Sequence, residues 1–426
     1  MNKQFEQIEK YIRSHCQADD YSLSISSHDS HETRFAQNGI TQHIAGPGLE
    51  IGLEVAFGQQ TGSCSVNQDD EATLAHLIKT AEDIARLNRP DPEYLPSVGA
   101  QTLPEVNNCD PATRDLEPAK MVEIVAQAID KAKAYGATVS GMTEKHLHES
   151  CLFTRNGFSG SDAYTEFGHS MTLKKDAVET KVSYSALDFG KFSLEQEFER
   201  LLAQAESLRT MKDFDACRIP VILRPGAISE LLFYMGWMMN RRQSDEGFTP
   251  YTGQLGQPFF GNKFSLRSTL KEPRLYARPY DREGIANTEI SWVDGGVLQN
   301  LPTNRHWAKE KNARPQSLFN YYIPGGDASE EEMMKLVPRG LIINRFWYIR
   351  TVDAKAGEFT GMTRDGVLYF EDGQVKNAVN NLRFNEIPHD ATRRILALGK
   401  QELPFLVSYI PTMLIDDFNF VDKTTF

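Results

Sequence analysis

The chain has 426 residues, of which 40% are hydrophobic and 24% are charged, and this is the composition of a folded globular protein. Its formal net charge of -12 argues against nucleic acid as a direct ligand, because the lysines and arginines are dispersed and the phosphate backbone would be repelled. A chain of this length has room for two domains, each with its own core.

The sequence gives no sign of export or of membrane insertion. Its N-terminus lacks the apolar segment of a signal peptide, and the longest nearly uncharged stretch, Leu231–Met239, is too short to span a bilayer. The five cysteines are scattered and form no Cys-x-x-Cys pair, which argues against a disulfide framework and a structural zinc site. We therefore predict a cytoplasmic protein without membrane contact.

The first half predicts groups of strands alternating with long helices. Asp70 is a suitable N-cap for a helix that Pro90 ends, and Gly136 is a suitable stop for a helix that starts at Pro118. Ser193 opens a third helix with a capping box. In chain order the predicted elements are a helix at 5–12, strands at 21–26, 32–35, 40–44 and 49–57 with a Gly-Pro-Gly turn at 46–48, the helix from 70, a surface connection at 88–116, the helix at 118–135, strands at 138–147, 150–155, 161–172 and 178–186, and the helix from 193.

The second half predicts a different architecture. A short buried strand at 221–223 precedes an apolar, buried helix at 226–239, after which strand-like runs dominate up to about residue 391. Asp-Gly pairs at 294–295, 365–366 and 372–373 predict turns between strands. We therefore predict an α+β fold of two domains: residues 1–214 combine strands with two or three long helices, and residues 215–426 form a mostly antiparallel β domain with a central buried helix.

Several segments, spread over nearly the whole chain, carry a family resemblance. They are Thr33–Gln42, Tyr280–Gly284, Trp292–Leu298, Arg345–Arg350, Phe359–Gly366 and Asn381–Asn385. In these segments and in their order the sequence resembles the TldD/PmbA family, whose older name is modulator of DNA gyrase.

The resemblance implies a two-domain α+β fold and a metallopeptidase complex that cleaves unstructured or modified peptides. In this family a zinc-bearing TldD-type subunit, with His-Glu-x-x-x-His on a mid-chain helix, pairs with a metal-free TldE/PmbA-type subunit. The corresponding helix here, 226–240, has no histidine, and Glu230 is its only acid. The C-terminal cysteine ligand is also missing, since the last cysteine is Cys217. The chain therefore resembles the metal-free type, with no catalytic residue, metal or cofactor of its own and with zinc expected in a TldD-type partner.

This comparison predicts a subunit that is non-catalytic by itself. Its partners would be a TldD-type zinc peptidase subunit in a heterodimer, or a second copy in a homodimer, and its substrate an unstructured peptide. Two alternatives stay open. One is a stand-alone metallohydrolase with ligands such as His146 and His148, and the other is a protein-binding regulator without enzymatic activity, as the gyrase-modulator name suggests.

The histidines offer weak site candidates. His146 and His148 lie two residues apart, so a strand would direct both imidazoles to one face, as a metal site requires. No third ligand is evident from the sequence, and a solvent-facing pair is the favoured interpretation. His306 follows Asn304-Arg305 in a predicted loop and is a candidate for peptide contact.

The segment Arg345–Arg350 is the main candidate for a peptide cleft. Strand alternation places Arg345, Trp347 and Ile349 on one face and the other three residues on the opposite face. This pattern is typical of a strand buried between two layers, but also of a strand to which an extended peptide adds by main-chain hydrogen bonds. The resemblance favours the cleft, and its predicted residues are Arg345, Trp347, Arg350 and His306.

Overall fold

The computed structural model describes residues 2–424 and contains two β-sheets with helices packed on them. The first 207 residues form helices α1 Lys3–His15, α2 Glu71–Leu87, α3 Pro111–Arg114, α4 Pro118–Tyr135 and α5 Leu194–Ser207, and strands β1 Asp20–Ala36, β2 Gly39–Phe57, β3 Gln60–Val66, β4 Thr138–Thr154, β5 Ser159–Lys175 and β6 Val178–Ala186.

The rest of the chain is richer in strands. It forms helices α6 Pro225–Met238, α7 Arg241–Asp245, α8 Arg305–Glu310, α9 Glu330–Lys335 and α10 Pro388–Thr392, and strands β7 Met211–Lys212, β8 Arg218–Leu223, β9 Leu266–Ser268, β10 Ile290–Asp294, β11 Val297–Leu298, β12 Tyr321–Tyr322, β13 Arg339–Asp353, β14 Glu358–Glu371, β15 Gln374–Val379, β16 Leu382–Glu386, β17 Ile395–Phe405 and β18 Ser408–Lys423. The α+β class is confirmed. Among residues 2–424, no helix is both long and apolar enough to cross a bilayer.

The first sheet has six antiparallel strands in the order β3-β2-β1-β4-β5-β6. Its strands are longer than predicted, and the Gly-Pro-Gly turn at 46–48 is wrong, because these residues continue β2 opposite β1. Pro47 is tolerated there since β3 pairs with β2 only from Ile51 onward, which leaves Pro47 on a free edge. Gly48 is needed because a Cβ would lie 2.0 Å from the ring of His28.

The helix ends of this half are confirmed. The side chains of Asp70 and Ser193 accept hydrogen bonds from backbone N–H groups in the first turns of α2 and α5, and Gly136 ends α4 with a φ of +70°. The apolar face of α2 is buried except at Ile84, which is 37% exposed. Glu82 is buried instead, because its carboxylate accepts the backbone N–H of Gln17 at 2.6 Å.

The second sheet has 12 strands, and its central path runs β12-β18-β8-β13-β14-β15. Most of its pairings are antiparallel, and the parallel ones join β8 with β13, β7 with β15 and β12 with β18.

The turn at Asp372-Gly373 is confirmed between β14 and β15, with positive φ at both residues. The predicted turn at Asp365-Gly366 is wrong, since both residues lie inside β14 despite their positive φ. The helices α7, α8 and α10 were missed, because a helix of one or two turns leaves no periodic apolar pattern.

The contact between α2 and the first sheet allows a direct stability test. A Cβ on Gly62 in β3 would lie 2.4 Å from the backbone atoms Ala81 O and Ala85 N of α2. Backbone atoms cannot rotate away, so we expect Gly62→Ala to lower the free energy of unfolding by about 2–3 kcal/mol. The matched control is Gly46→Ala in β2, where no atom lies within 4 Å of the new methyl group. Urea unfolding checks both variants, and equal stabilities would contradict this packing.

Candidate functional site

The site is built where α6 lies beside β13. The backbone N–H of Arg224 donates to Ile343 O at 3.0 Å, and its guanidinium donates to Asn344 Oδ1 at 2.6 Å. The same guanidinium binds both carboxylate oxygens of Glu330 at 2.7 and 2.8 Å. Gly226 permits the close approach, because its Cβ position is only 3.0 Å from Asn344 O. These contacts fix the first turn of α6 against the strand.

One turn further along α6, Glu230 faces a charged cluster. Its Oε1 atom is 3.8 Å from Arg345 Nη1, and Arg345 Nε is 2.8 Å from Asp365 Oδ2. Among residues 2–424, Glu230 Oε2 and Arg345 Nε are buried and have no hydrogen-bond partner of good geometry. The attraction in this cluster is therefore mainly electrostatic, and Glu230 retains an unused acceptor.

The environment of Glu230 changes its acidity. Burial raises the pKa of its carboxyl group to about 7, although the charge of Arg345 and a hydrogen bond from the backbone N–H of Phe346 both act in the opposite direction. The nearby carboxylate of Asp365 raises the pKa further. Glu230 therefore changes its charge near neutral pH, which is unusual for a glutamate.

Large aromatic side chains are exposed on both elements. Phe233 and Trp237, three and seven residues after Glu230, lie on the same stripe of α6 and are 63% and 72% exposed. The prediction of a fully buried helix is therefore wrong on this side of α6. On β13, Trp347 and Tyr348 are 42% and 55% exposed.

The predicted alternation of β13 is interrupted at Tyr348. Its φ is +54°, and the pairing with β14 shifts register between Trp347 and Arg350. As a result, Trp347 and Tyr348 are both exposed whereas Phe346 and Ile349 are both buried. The prediction that Trp347 and Ile349 share a face is therefore wrong, because the irregularity turns two successive aromatic rings toward solvent.

Cationic side chains hold these two rings in place. The Arg364 guanidinium lies 4.3 Å from the centroid of the Trp347 ring, and the Arg350 guanidinium lies 4.1 Å from that of Tyr348. In addition, β8 pairs with β13 only at Leu341–Ile343, so beyond that point this edge of β13 has no strand neighbour within residues 2–424. The strand therefore presents ordered aromatic and cationic groups, and at Asn344 and Phe346 its main chain lies against α6 instead of another strand.

His306 lies in a different environment from the other predicted cleft residues. It belongs to α8, not to a loop as predicted, and its Nδ1 atom is 3.7 Å from Glu93 Oε2. Glu93 is also paired with Arg242 at 2.8 Å, and Arg242 stacks on the Trp307 ring. The structure thus groups Arg345 with Glu230 and places Trp347 and Arg350 further along β13, beside Arg364 and Tyr348. It places His306 with residues of α7 and of the connection after α2.

The residues around α6 do not fit a zinc ion. Zinc sites in enzymes use three protein ligands from histidine, cysteine or carboxylate groups. The helix offers Glu230 alone, and the guanidinium of Arg345 already lies 3.8 Å from that carboxylate and would repel a second cation. The residues around α6 therefore cannot form a catalytic zinc site.

The first sheet brings His146 to partners that sequence reasoning missed. His146 and His148 do share a face of β4, with ring centroids 5.7 Å apart, but His148 stacks on Tyr164. The carboxylates near His146 are those of Glu144 and, from β1, Glu32. The pair Glu144 and His146 is visible in the sequence as Glu-x-His, but Glu32 can be added to it only once the register of β1 and β4 is known.

The C-terminal part of the chain matches a known family. Residues 216–422 match the family model described as PmbA/TldA metallopeptidase C-terminal domain. No curated protein matches the sequence.

Solved structures share the fold over the full length. TldE from Thermococcus kodakarensis has a TM-score of 0.87 at 16% identity, covering 98% of this chain and 99% of that one. A protein from Thermotoga maritima described as a modulator of a DNA gyrase has a TM-score of 0.85 at 16% identity, with coverages of 98% and 99%. One from Bacteroides thetaiotaomicron with a similar description has a TM-score of 0.84 at 19% identity, with coverages of 99% and 98%. The C-terminal part, residues 216–422, therefore belongs to the PmbA/TldA metallopeptidase C-terminal domain family, and the whole chain shares the fold of these TldE-type and gyrase-modulator-type structures.

Proposed function

We propose that the chain is a TldE/PmbA-type subunit of a zinc metallopeptidase complex, in which it holds unstructured peptides and a TldD-type partner cleaves them. The single observation that carries this proposal is the surface formed by α6 and β13, which has exposed aromatic rings and a charged cluster but too few ligands for zinc. The chain would thus be non-catalytic by itself.

In this proposal an extended peptide binds by its main chain. Past Phe346, whose N–H is bonded to Glu230, this edge of β13 has no strand neighbour within residues 2–424, so a peptide can pair there and exchange backbone hydrogen bonds with the protein. The exposed rings of Trp347 and Phe233 would contact apolar side chains of the peptide, and Arg345 and Arg350 would attract carboxylates. An unstructured peptide offers its main chain for such pairing along its whole length, so this mode of binding favours unstructured substrates.

Coexpression with a TldD-type subunit tests the proposal. We expect the purified complex to cleave casein or an unfolded peptide, and the isolated chain to show no cleavage under the same conditions. Cleavage by the isolated chain would support the alternative of a stand-alone hydrolase. Copurification with gyrase and not with a peptidase subunit would support the regulatory alternative.

A reducing compartment such as the cytoplasm suits the proposal. All five cysteines are unpaired, and the buried ones, Cys16 and Cys151, have no disulfide partner in the structure. Burial raises the pKa of the Cys151 thiol to about 12, so this group stays protonated and unreactive at neutral pH.

A further inference from the structure

A mixed cluster of one imidazole and two carboxylates lies on the first sheet, far along the sequence from α6. Glu32 of β1 and Glu144 of β4 are direct cross-strand neighbours, and His146 follows on the same face of β4. One ligand atom from each of these three side chains lies within 4.8 Å of the other two. The three groups are half-buried and therefore accessible to a small ion.

Two like charges placed directly opposite each other on a sheet are unfavourable. Glu32 and Glu144 are such a pair, and Glu166 adds a third carboxylate opposite His146 on β5. The contact between Arg34 and one oxygen of Glu32, at 3.2 Å, offsets only part of this charge, and it is solvent-exposed. The cluster thus has an excess of negative charge that a divalent cation would neutralise.

The local structure places His146 and Glu144 suitably for a shared ion. His146 Nδ1 is 2.8 Å from Ser30 Oγ, so a proton on Nδ1 can be donated to the hydroxyl and Nε2 is left free to ligate. Gly168 gives room to the Glu144 side chain, because a Cβ there would lie 2.7 Å from Glu144 Oε1. His146 Nε2 and Glu144 Oε2 are 3.3 Å apart, and two ligands of a tetrahedral zinc ion lie about 3.4 Å apart.

We propose that Glu32, Glu144 and His146 bind one divalent transition-metal cation, such as Zn²⁺, which joins β1 to β4. The donor set of an imidazole and two carboxylates suits this class of ion better than Ca²⁺ or Mg²⁺, which prefer oxygen ligands alone. This site is separate from α6 and requires no peptidase activity.

Isothermal titration of Zn²⁺ into the tag-free, EDTA-treated chain tests the proposal. We expect one equivalent to bind, and His146→Asn and Glu32→Gln each to weaken the affinity at least about 100-fold. The control His76→Asn removes an exposed histidine of α2 and should bind like the unaltered chain. The melting temperature of each metal-free variant is compared with that of the unaltered metal-free protein. A variant that keeps its melting temperature but loses affinity has lost a ligand and not its fold.

Three outcomes would overturn the site. These are the absence of binding at micromolar Zn²⁺, unchanged affinity in both ligand variants, and affinity that is lost only in His148→Asn, since that would place the ion beside His28 and His148. Cleavage by the complex with a TldD-type subunit should be unchanged in His146→Asn. Failure of the metal site therefore leaves the proposed function standing, and failure of the proposed function leaves the metal site standing.

Discussion

Replacing Glu230 by glutamine is expected to stabilise the chain by about 2–3 kcal/mol at pH 8 and to have little effect at pH 4.5. The pKa of this carboxyl group is raised to about 7 by burial, so the folded chain binds the proton more tightly than the unfolded chain does. The contribution of this group to the free energy of unfolding is thus highest below about pH 4.5. It falls as the pH rises to about 7, by about 1.4 kcal/mol for each pH unit. Glutamine retains the acceptor for the Phe346 N–H but carries no charge.

Urea unfolding at several pH values measures this effect. The pH dependence of the unaltered chain between 4.5 and 7 should become less steep in Glu230→Gln, and the two curves should meet at low pH. Glu310→Gln in α8 is the control, since that glutamate is exposed. A lower stability of Glu230→Gln at pH 8 would show that the ion pair with Arg345 outweighs the cost of burying the charge.

Replacing Trp347 by alanine is expected to lower kcat/KM of the complex for an unfolded peptide about 10- to 30-fold, mainly through a higher KM. The ring is held by Arg364 and is 42% exposed, so it can bury against a peptide at a small cost in conformational entropy. Aromatic residues at the centre of such a contact typically contribute about 1.4–2 kcal/mol, which corresponds to this factor.

The measurement uses a saturating concentration of this chain, so that a weaker subunit contact does not imitate weaker peptide binding. Phe405→Ala is the matched control, because Phe405 is 48% exposed and belongs to β17, not to α6 or β13. Equal losses of kcat/KM in both variants, or no loss in Trp347→Ala, would show that Trp347 does not bind the peptide.

The fold was predictable where local chemistry determines it. Local signals are the caps at Asp70 and Ser193, the glycine stop at Gly136 and the apolar periodicity of α2 and α4. The structure has helices at these positions. The Gly-Pro-Gly segment failed because its conformation depends on a free sheet edge and on space for His28, neither of which is visible in the local sequence. The same holds for Asp365-Gly366, where β14 continues through residues with a positive φ.

The site was predictable only in part. The absence of histidine from α6 could be read directly, and Arg345 and Trp347 were correctly singled out as residues of one strand. The simple alternation failed at Tyr348, because a single residue with φ of +54° changes which side chains face solvent. The contact of Glu230 with Arg345 joins residues more than 100 positions apart, and the cluster around His146 depends on strand register. Neither can be derived from local patterns.

We propose that this chain contributes peptide binding and that its partner contributes hydrolysis. The most direct measurement is the rate of peptide cleavage as this chain is titrated into a fixed amount of purified TldD-type subunit. We predict no cleavage by this chain alone, and a rate that rises and saturates at one chain per partner subunit. Cleavage by this chain alone, or a rate that does not respond to its addition, would contradict the claim.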